Sequence, residues 1–185
     1  HQDLFGTIDN TMHAKYELIA GLAGKNIAIM NIDDARVRTM AEWAKRDERE
    51  VWEFGSQKSD IANSMFIGTG IKASFDGVEF DCISEKETLR VEVPVIGAHQ
   101  VSNILAAIAA AVAAGMSIKE AIKGAEKITP NPKSLSVIVG INGSLYINDT
   151  FNNSPDSAIA ALDVLAWGKR KKMLVFQPMI ELGAY

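Results

Sequence analysis

The chain has 185 residues, a formal net charge of −4 and one cysteine, which argues against a basic nucleic-acid binder and excludes an internal disulfide. Apolar residues make up 48% of the chain, enough for a substantial core. The most apolar run, Ile104–Gly115, is too short to span a bilayer, and the N-terminal residues do not read as a signal peptide. We therefore expect a cytoplasmic protein without membrane insertion and without a nucleic-acid partner.

Apolar spacing and turn residues divide the first 130 residues into alternating helices and strands. In order, the predicted elements are a helix over Thr7–Leu22 closed by Gly24, a strand over Asn26–Ile32, a helix over Ala35–Lys45, a strand over Val51–Gly55, short strands over Ile71–Phe75, Val78–Cys82 and Leu89–Val95, a helix over His99–Ala114, and a helix from Ser117 to about Ile128. This order predicts parallel strands with a right-handed crossover, followed by an antiparallel meander.

Individual residues add predictions about burial and about helix caps. The strand over Asn26–Ile32 shows no polar alternation, as expected of a strand covered on both faces. Asp33 and Asp34 are predicted to cap the helix that follows. Ser117 and Glu120 have the spacing of a capping box. The helix over His99–Ala114 is almost entirely apolar, so we expect it to be buried.

A change of domain is predicted at the proline-containing segment Thr129–Lys133. It divides the chain into residues 1–130 and residues 131–185. In the second part, strands over Leu135–Gly140 and Ser144–Asn148 form a predicted hairpin, because Asn-Gly between them is a strong turn signal. A final strand is predicted over Met173–Phe176, after the basic run of residues 169–172, which we interpret as a solvated loop.

The segment after the hairpin changes from strand to polar loop to capped helix within a few residues. Ser154 is predicted to cap the helix, and Ile159, Leu162 and Leu165 to face a core. In open α/β sheets, ligands bind in the crevice beyond the carboxyl end of a strand. From the pattern alone, a ligand-binding loop and an ordinary strand-to-helix connection are both open.

Five motifs follow one another in an order that resembles the Mur ligase family. They are the segments His1–Glu17 (H-x-D-x-F-G-T followed by A-K-x-E), Asn31–Asp34 (N-x-D-D), Gly97–Asn103, Asn148–Ser157 and Met179–Gly183. Within the family, the motifs are most similar to those of the subtype that adds D-alanyl-D-alanine. The resemblance implies an α/β fold: the later part of a central ATPase domain, with a mixed sheet, helices and a meander, and the start of a Rossmann-like C-terminal domain.

The resemblance also implies a reaction. Members of the family join a carboxylate to an amine at the expense of ATP, through an acyl phosphate and with Mg²⁺. The implied partners are UDP-N-acetylmuramoyl-peptide and an amino acid or dipeptide such as D-alanyl-D-alanine. Two alternatives remain open. One is a related ligase of the cyanophycin or folylpolyglutamate type, and the other is a non-catalytic homologue that serves as a binding or scaffolding subunit.

Two residues match metal-binding positions of the family. Lys15 matches the lysine that becomes carbamylated, and a carbamate is an anionic oxygen donor suited to Mg²⁺. His1 matches a histidine that helps to hold a magnesium ion. Taken without the family, Lys15 is an ordinary solvated helix lysine and His1 a frayed terminus.

Four further residues match nucleotide-binding positions. Asn31 and Asn103 match residues at the adenine end of ATP, where an amide can both donate and accept. Asp149 and Asn152 match residues of the C-terminal domain that close over the nucleotide. From the residues alone, the alternatives are a local cap for Asn31, which precedes Asp33 and Asp34, and a turn aspartate for Asp149.

The chain departs from the family pattern at several positions. Ser134, Asn148, Phe151, Ser154 and Gln177 replace residues that the pattern expects to be arginine, aspartate, tyrosine, asparagine and glycine. The resemblance places the phosphate-binding G-x-x-G-K-[ST] loop before His1 and most of the C-terminal domain after Tyr185. We therefore expect this segment alone to be inactive.

Overall fold

The computed structural model describes residues 5–23, 26–56, 65–151, 154–176 and 178–179, and these residues fold into two sheets with helices packed on them. In chain order the elements are α1 (Ile8–Ala20), β1 (Ile27–Asn31), α2 (Ala35–Arg46), β2 (Glu50–Gly55), β3 (Phe66–Ser74), β4 (Gly77–Ser84), β5 (Thr88–Val93), α3 (Gln100–Ala113), α4 (Ile118–Ala125), β6 (Ser136–Val139), β7 (Leu145–Asn148) and α5 (Pro155–Trp167). The predicted α/β class is confirmed.

The larger sheet is mixed, with the strand order β1-β2-β3-β4-β5. β1, β2 and β3 run parallel, whereas β3, β4 and β5 form antiparallel pairs. The junction between the two parts is short, since β2 and β3 pair only through Phe54 with Phe66 and Gly55 with Ile67. The predicted parallel pair and meander are therefore confirmed as parts of one sheet.

Helix α3 covers one face of this sheet and is buried as predicted. Val101, Leu105 and Ile108 lie in the same core cluster as Phe80, which is fully buried. The helix approaches closely because Gly68 on β3 has no side chain. A Cβ at that position would lie 2.8 Å from a methyl carbon of Val101, tighter than ordinary packing allows.

Helices α1 and α2 cover the opposite face. Ala28 and Met30 of β1 pack with Met40 and Ala41 of α2, and α1 contributes partly buried side chains to the same cluster. Ile29, which points the other way from the strand, packs against the α3 core. The prediction that β1 is covered on both faces is confirmed.

The caps and ends of several helices differ from their predicted positions. Asp34 alone caps α2 by accepting from the N–H groups of Arg36 and Val37, whereas the Asp33 carboxylate accepts from the Ser56 N–H and hydroxyl. Helix α1 ends with Gly21 as its cap, before Gly24, which lies outside the described residues. Helix α4 starts with the predicted capping box but ends at Ala125.

The second sheet is the predicted hairpin. β6 and β7 pair antiparallel around a short 3₁₀ turn over Ile141–Gly143, in which Asn142 has a left-handed φ of 56°. A third cluster, with Ile96, Leu135 and Val164 buried at its centre, joins this sheet and α5 to the loops of the larger sheet. The Phe75 and Trp167 rings meet edge to face within it, with centroids 5.5 Å apart.

Two predictions about the last part of the chain are wrong. Val164 is the buried residue of α5, at 1% exposure, whereas Ile159 and Leu162 are 59% and 46% exposed; the third cluster meets the helix on the Val164 face. The segment Met173–Phe176 is not a strand, and all four side chains are exposed. A strand needs a hydrogen-bonded neighbour, and among the described residues none pairs with this segment.

Within the described residues, no helix has both the length and the hydropathy to cross a membrane.

Candidate functional site

A cavity of about 270 Å³ lies where the start of α3 meets the loops around the second sheet. Six of its eight lining residues have polar side chains, and the lining comes from both halves of the chain. The lining residues are His99, Gln100, Asn103, Ser134, Leu135, Asp149, Phe151 and Ser157. The fold thus brings together Asn103 and Asp149, two of the predicted nucleotide-binding residues.

Asp149 is held in place by the backbone that precedes β6. Its Oδ1 atom accepts a hydrogen bond from the Leu135 N–H at 3.0 Å, while Leu135 is buried and adopts a left-handed φ of 47°. Such a conformation is unfavourable for leucine and persists only where its surroundings fix it. The second carboxylate oxygen accepts no hydrogen bond from the described residues, so it remains available to a ligand.

Asn103 lies one helical turn after His99, on the same side of α3. Its side chain is exposed, and its Nδ2 group donates to Oε1 of Gln100 at 3.0 Å. The Asn103 side-chain oxygen, Oδ1, has no hydrogen-bond partner among the described residues. It can therefore accept from a ligand amine in the cavity.

His99, which belongs to the Gly97–Asn103 motif, also lines the cavity, although it was not among the predicted site residues. Its ring lies against Gly97, whose φ is +103°, and a Cβ at Gly97 would come within 2.5 Å of Cε1 and 2.7 Å of Nδ1. Burial lowers the pKa of His99, and the charge of Asp149 opposes that shift. This lowered pKa favours the neutral imidazole. The glycine two positions earlier was the signal that could have indicated this close contact.

Asn31 does not line this cavity. It lies at the carboxyl end of β1, half-buried, and its Oδ1 atom accepts from the Asp33 N–H at 3.0 Å. That contact matches the local cap considered from the sequence. Its Nδ2 group makes no hydrogen bond to the described residues, so a ligand contact is still open to it.

Lys15 lies in the middle of α1 with an exposed side chain. Its ammonium forms no hydrogen bond or ion pair with the described residues. His1 and Asn152 lie outside the described residues. Within the described part of the chain, no group of three or more His, Cys, Asp or Glu side chains could hold a metal ion, so the Mg²⁺ site remains a prediction.

A mixed sheet with helices on both faces, and a cavity lined by two parts of the chain, define the class as an α/β protein. The profile of the Mur ligase middle domain matches residues 1–111. The chain belongs to the Mur ligase family.

Named relatives agree with this assignment. UDP-N-acetylmuramoyl-tripeptide–D-alanyl-D-alanine ligase from Escherichia coli strain K12 is 31% identical over 185 residues, covering 100% of this chain and 40% of the relative. The corresponding ligase from Haemophilus influenzae is 28% identical over 188 residues, covering 99% of this chain and 38% of the relative. The chain thus spans about two fifths of the length of these relatives.

Solved structures show the same fold. A crystal structure of MurF from Acinetobacter baumannii has a TM-score of 0.78 and 28% identity, and the match covers 89% of this chain and 34% of that one. MurF from Thermotoga maritima, solved in complex with ADP, has a TM-score of 0.71 at 20% identity, covering 88% of this chain and 35% of that one. The second likeness supports the fold alone.

Proposed function

We propose that the full-length protein is a cytoplasmic, ATP-dependent ligase that adds an amino acid or dipeptide to UDP-N-acetylmuramoyl-peptide, with D-alanyl-D-alanine as the first candidate. Family membership supports the reaction class. The names of the E. coli and H. influenzae relatives support the substrate pair. Because this chain spans about 40% of the E. coli relative, the activity is proposed for the whole protein.

The main support for the proposal is the cavity at the start of α3, which is lined by residues from both halves of the chain. The Asn103 amide oxygen can accept from the exocyclic amine of adenine. The Asp149 oxygen that accepts no hydrogen bond from the described residues can accept from ribose hydroxyls. Phe151, an exposed aromatic ring at the cavity, offers a stacking surface. We further propose that Asn152 belongs to this nucleotide contact and that the Nδ2 group of Asn31 donates to the adenine end.

The proposed chemistry proceeds in two steps. A substrate carboxylate oxygen attacks the γ-phosphorus of ATP, and ADP leaves, giving an acyl phosphate. The incoming amine then attacks the acyl carbon, an amide bond forms, and phosphate leaves with the bonding electron pair while the amine loses a proton. The enzyme's task is to bring anionic partners together and hold them in line.

We propose His1 and a carbamate on Lys15 as the residues that hold Mg²⁺. The exposed amine of Lys15, which has no partner among the described residues, fits this role, because CO₂ can reach it and the product carbamate offers the oxygen ligands that Mg²⁺ prefers. When bound, the ion neutralises charge on the transferring phosphoryl group.

We also propose a domain boundary near residue 130. Two observations support it: the strands before and after this point belong to different sheets, and Pro130 and Pro132 lie in the connection between them. Residues 1–130 then belong to the central ATP-binding domain, and residues 131–185 to the start of the C-terminal domain.

Release of ADP by the full-length protein tests the function. The assay supplies ATP, Mg²⁺ and UDP-N-acetylmuramoyl-tripeptide, with D-alanyl-D-alanine, single amino acids or no acceptor. ADP release that needs both the nucleotide precursor and D-alanyl-D-alanine is expected. Activity with a folate and glutamate, or with a cyanophycin-type peptide, would favour the other ligase classes. Nucleotide binding without turnover on any substrate would favour the non-catalytic homologue.

A further inference from the structure

Helix α1, which carries Lys15, is weakly anchored by the core. The structure describes all of its residues and buries none of them. Met12, Tyr16 and Ile19 only partly reach the cluster formed by β1 and α2. Since packing of an apolar face supplies most of a helix's stability in proteins, polar contacts must contribute to holding this helix in place.

The turn between α2 and β2 supplies the first such contact. Arg49 donates from Nη1 to the Leu22 carbonyl at 2.5 Å and from Nη2 to the Ala20 carbonyl at 2.9 Å. Helix α1 has no basic residue in its own last turn, so Arg49 brings a positive charge to the negative end of the helix dipole. Glu48, with a left-handed φ of 55°, forms the tight turn immediately before Arg49.

The same turn makes a second contact. The Tyr16 hydroxyl, next to Lys15 in sequence, donates to the Asp47 carboxylate at 2.5 Å. The Tyr16 ring also meets Trp43 edge to face, with centroids 5.2 Å apart.

Loss of the Arg49 contacts would remove the hydrogen-bond donors of the Leu22 and Ala20 carbonyls at the end of α1. Its Nε atom is buried and has no hydrogen-bond partner among the described residues, so the guanidinium depends on the two carbonyls. Without these two charge-assisted hydrogen bonds the end of α1 is held less firmly, so the helix can shift. Such a shift along the axis would move Lys15 with it.

We propose that Arg49 and Asp47 are positioning residues for Lys15: the turn of residues 47–49 fixes the placement of α1 and thereby presents the Lys15 amine for carbamylation and ion binding. This inference rests on the proposed function, because it assigns the turn a role only through the Lys15 carbamate. It adds two residues that are distant from Lys15 in the sequence and lie in the turn between α2 and β2.

The test compares full-length Arg49→Ala, Arg49→Lys and Tyr16→Phe with the wild type. The readouts are the carbamate carbon signal in NMR spectra recorded with ¹³C-bicarbonate, and the bicarbonate concentration that gives half-maximal ligase activity. Arg49→Ala should raise that concentration about tenfold. Arg49→Lys, which keeps the charge but not the fork, should give an intermediate rise, as should Tyr16→Phe. Arg46→Ala, which removes an exposed arginine at the end of α2, is the matched control and should behave as wild type.

The possible results distinguish failure of the Lys15 carbamate proposal from failure of the positioning proposal. If the wild type gives no carbamate signal, both the Lys15 role and this inference fail. If the wild type gives the signal and the folded Arg49 and Tyr16 variants match it in signal and bicarbonate dependence, the positioning role alone is overturned. Should Arg49→Ala fail to fold, Arg49→Lys and Tyr16→Phe decide the question.

Discussion

Replacing Gly97 by alanine tests whether the backbone before α3 holds the His99 ring in the cavity. Gly97 has a φ of +103°, and a Cβ there would lie 2.5 Å from His99 Cε1 and 3.0 Å from Leu135 Cδ2. The left-handed backbone costs an alanine about 1–2 kcal/mol, and the forced repacking adds about 1–3 kcal/mol. The free energy of unfolding should therefore fall by about 2–5 kcal/mol.

Gly115→Ala is a matched control, because it separates the backbone effect from the contact. Gly115 has a φ of +99°, and a Cβ there would meet nothing within 4 Å. This variant should lose only the backbone part, about 1–2 kcal/mol. Urea unfolding of both variants measures the difference, and ATP titration should show weaker binding for Gly97→Ala alone. Equal losses of stability in the two variants would refute the packing of His99 against Gly97.

Two further predictions concern groups around the cavity and the third cluster. Because burial lowers the pKa of His99, the unfolded state binds more protons, and the wild type should lose stability as pH falls through about 6.5. His99→Gln should lose less between pH 7 and 5.5 in urea unfolding, and identical slopes would contradict the assignment. Phe75→Leu and Trp167→Leu remove rings 5.5 Å apart. Their double-mutant cycle should give a coupling of about 0.5–1.5 kcal/mol, and a coupling near zero would count against the contact.

Much of the fold was predictable because the sequence pattern of a segment often matches the burial of its residues in the structure. The apolar run of β1 lacks alternation because helices cover both of its faces. Ser117 and Ser154 start helices as predicted because a capping hydroxyl needs only its own neighbours. These features depend on a few adjacent residues, so sequence reasoning reaches them.

The wrong predictions concern segments whose structure depends on residues far away in the sequence. The spacing of Ile159 and Leu162 indicates a helix, but the face that is buried depends on Ile96 and Leu135, which belong to other elements. The apolar run Met173–Phe176 has strand composition, yet strand formation requires a neighbour to pair with. Local sequence contains neither kind of information.

The residues of the candidate site also include some that the sequence predicts and some that it does not. Ordered motifs pointed to Asn103 and Asp149, and the fold brings both into one cavity. The anchoring of α1 by Arg49 could not be predicted, because it depends on a contact between segments far apart in the chain. The contact of His99 with Gly97 is local, but its place in the cavity also depends on the distant Asp149. The roles proposed for Lys15 and His1 rest on the family resemblance.

Binding of ATP to the full-length protein tests the central claim most directly. Isothermal titration of the wild type, Asn103→Ala and Asp149→Ala should show that each substitution weakens ATP binding about tenfold, since each removes a hydrogen bond to the nucleotide. Asp163→Ala, at an exposed position of α5, should leave the affinity unchanged. Wild-type affinity in both cavity variants would contradict the assignment of this cavity to the nucleotide.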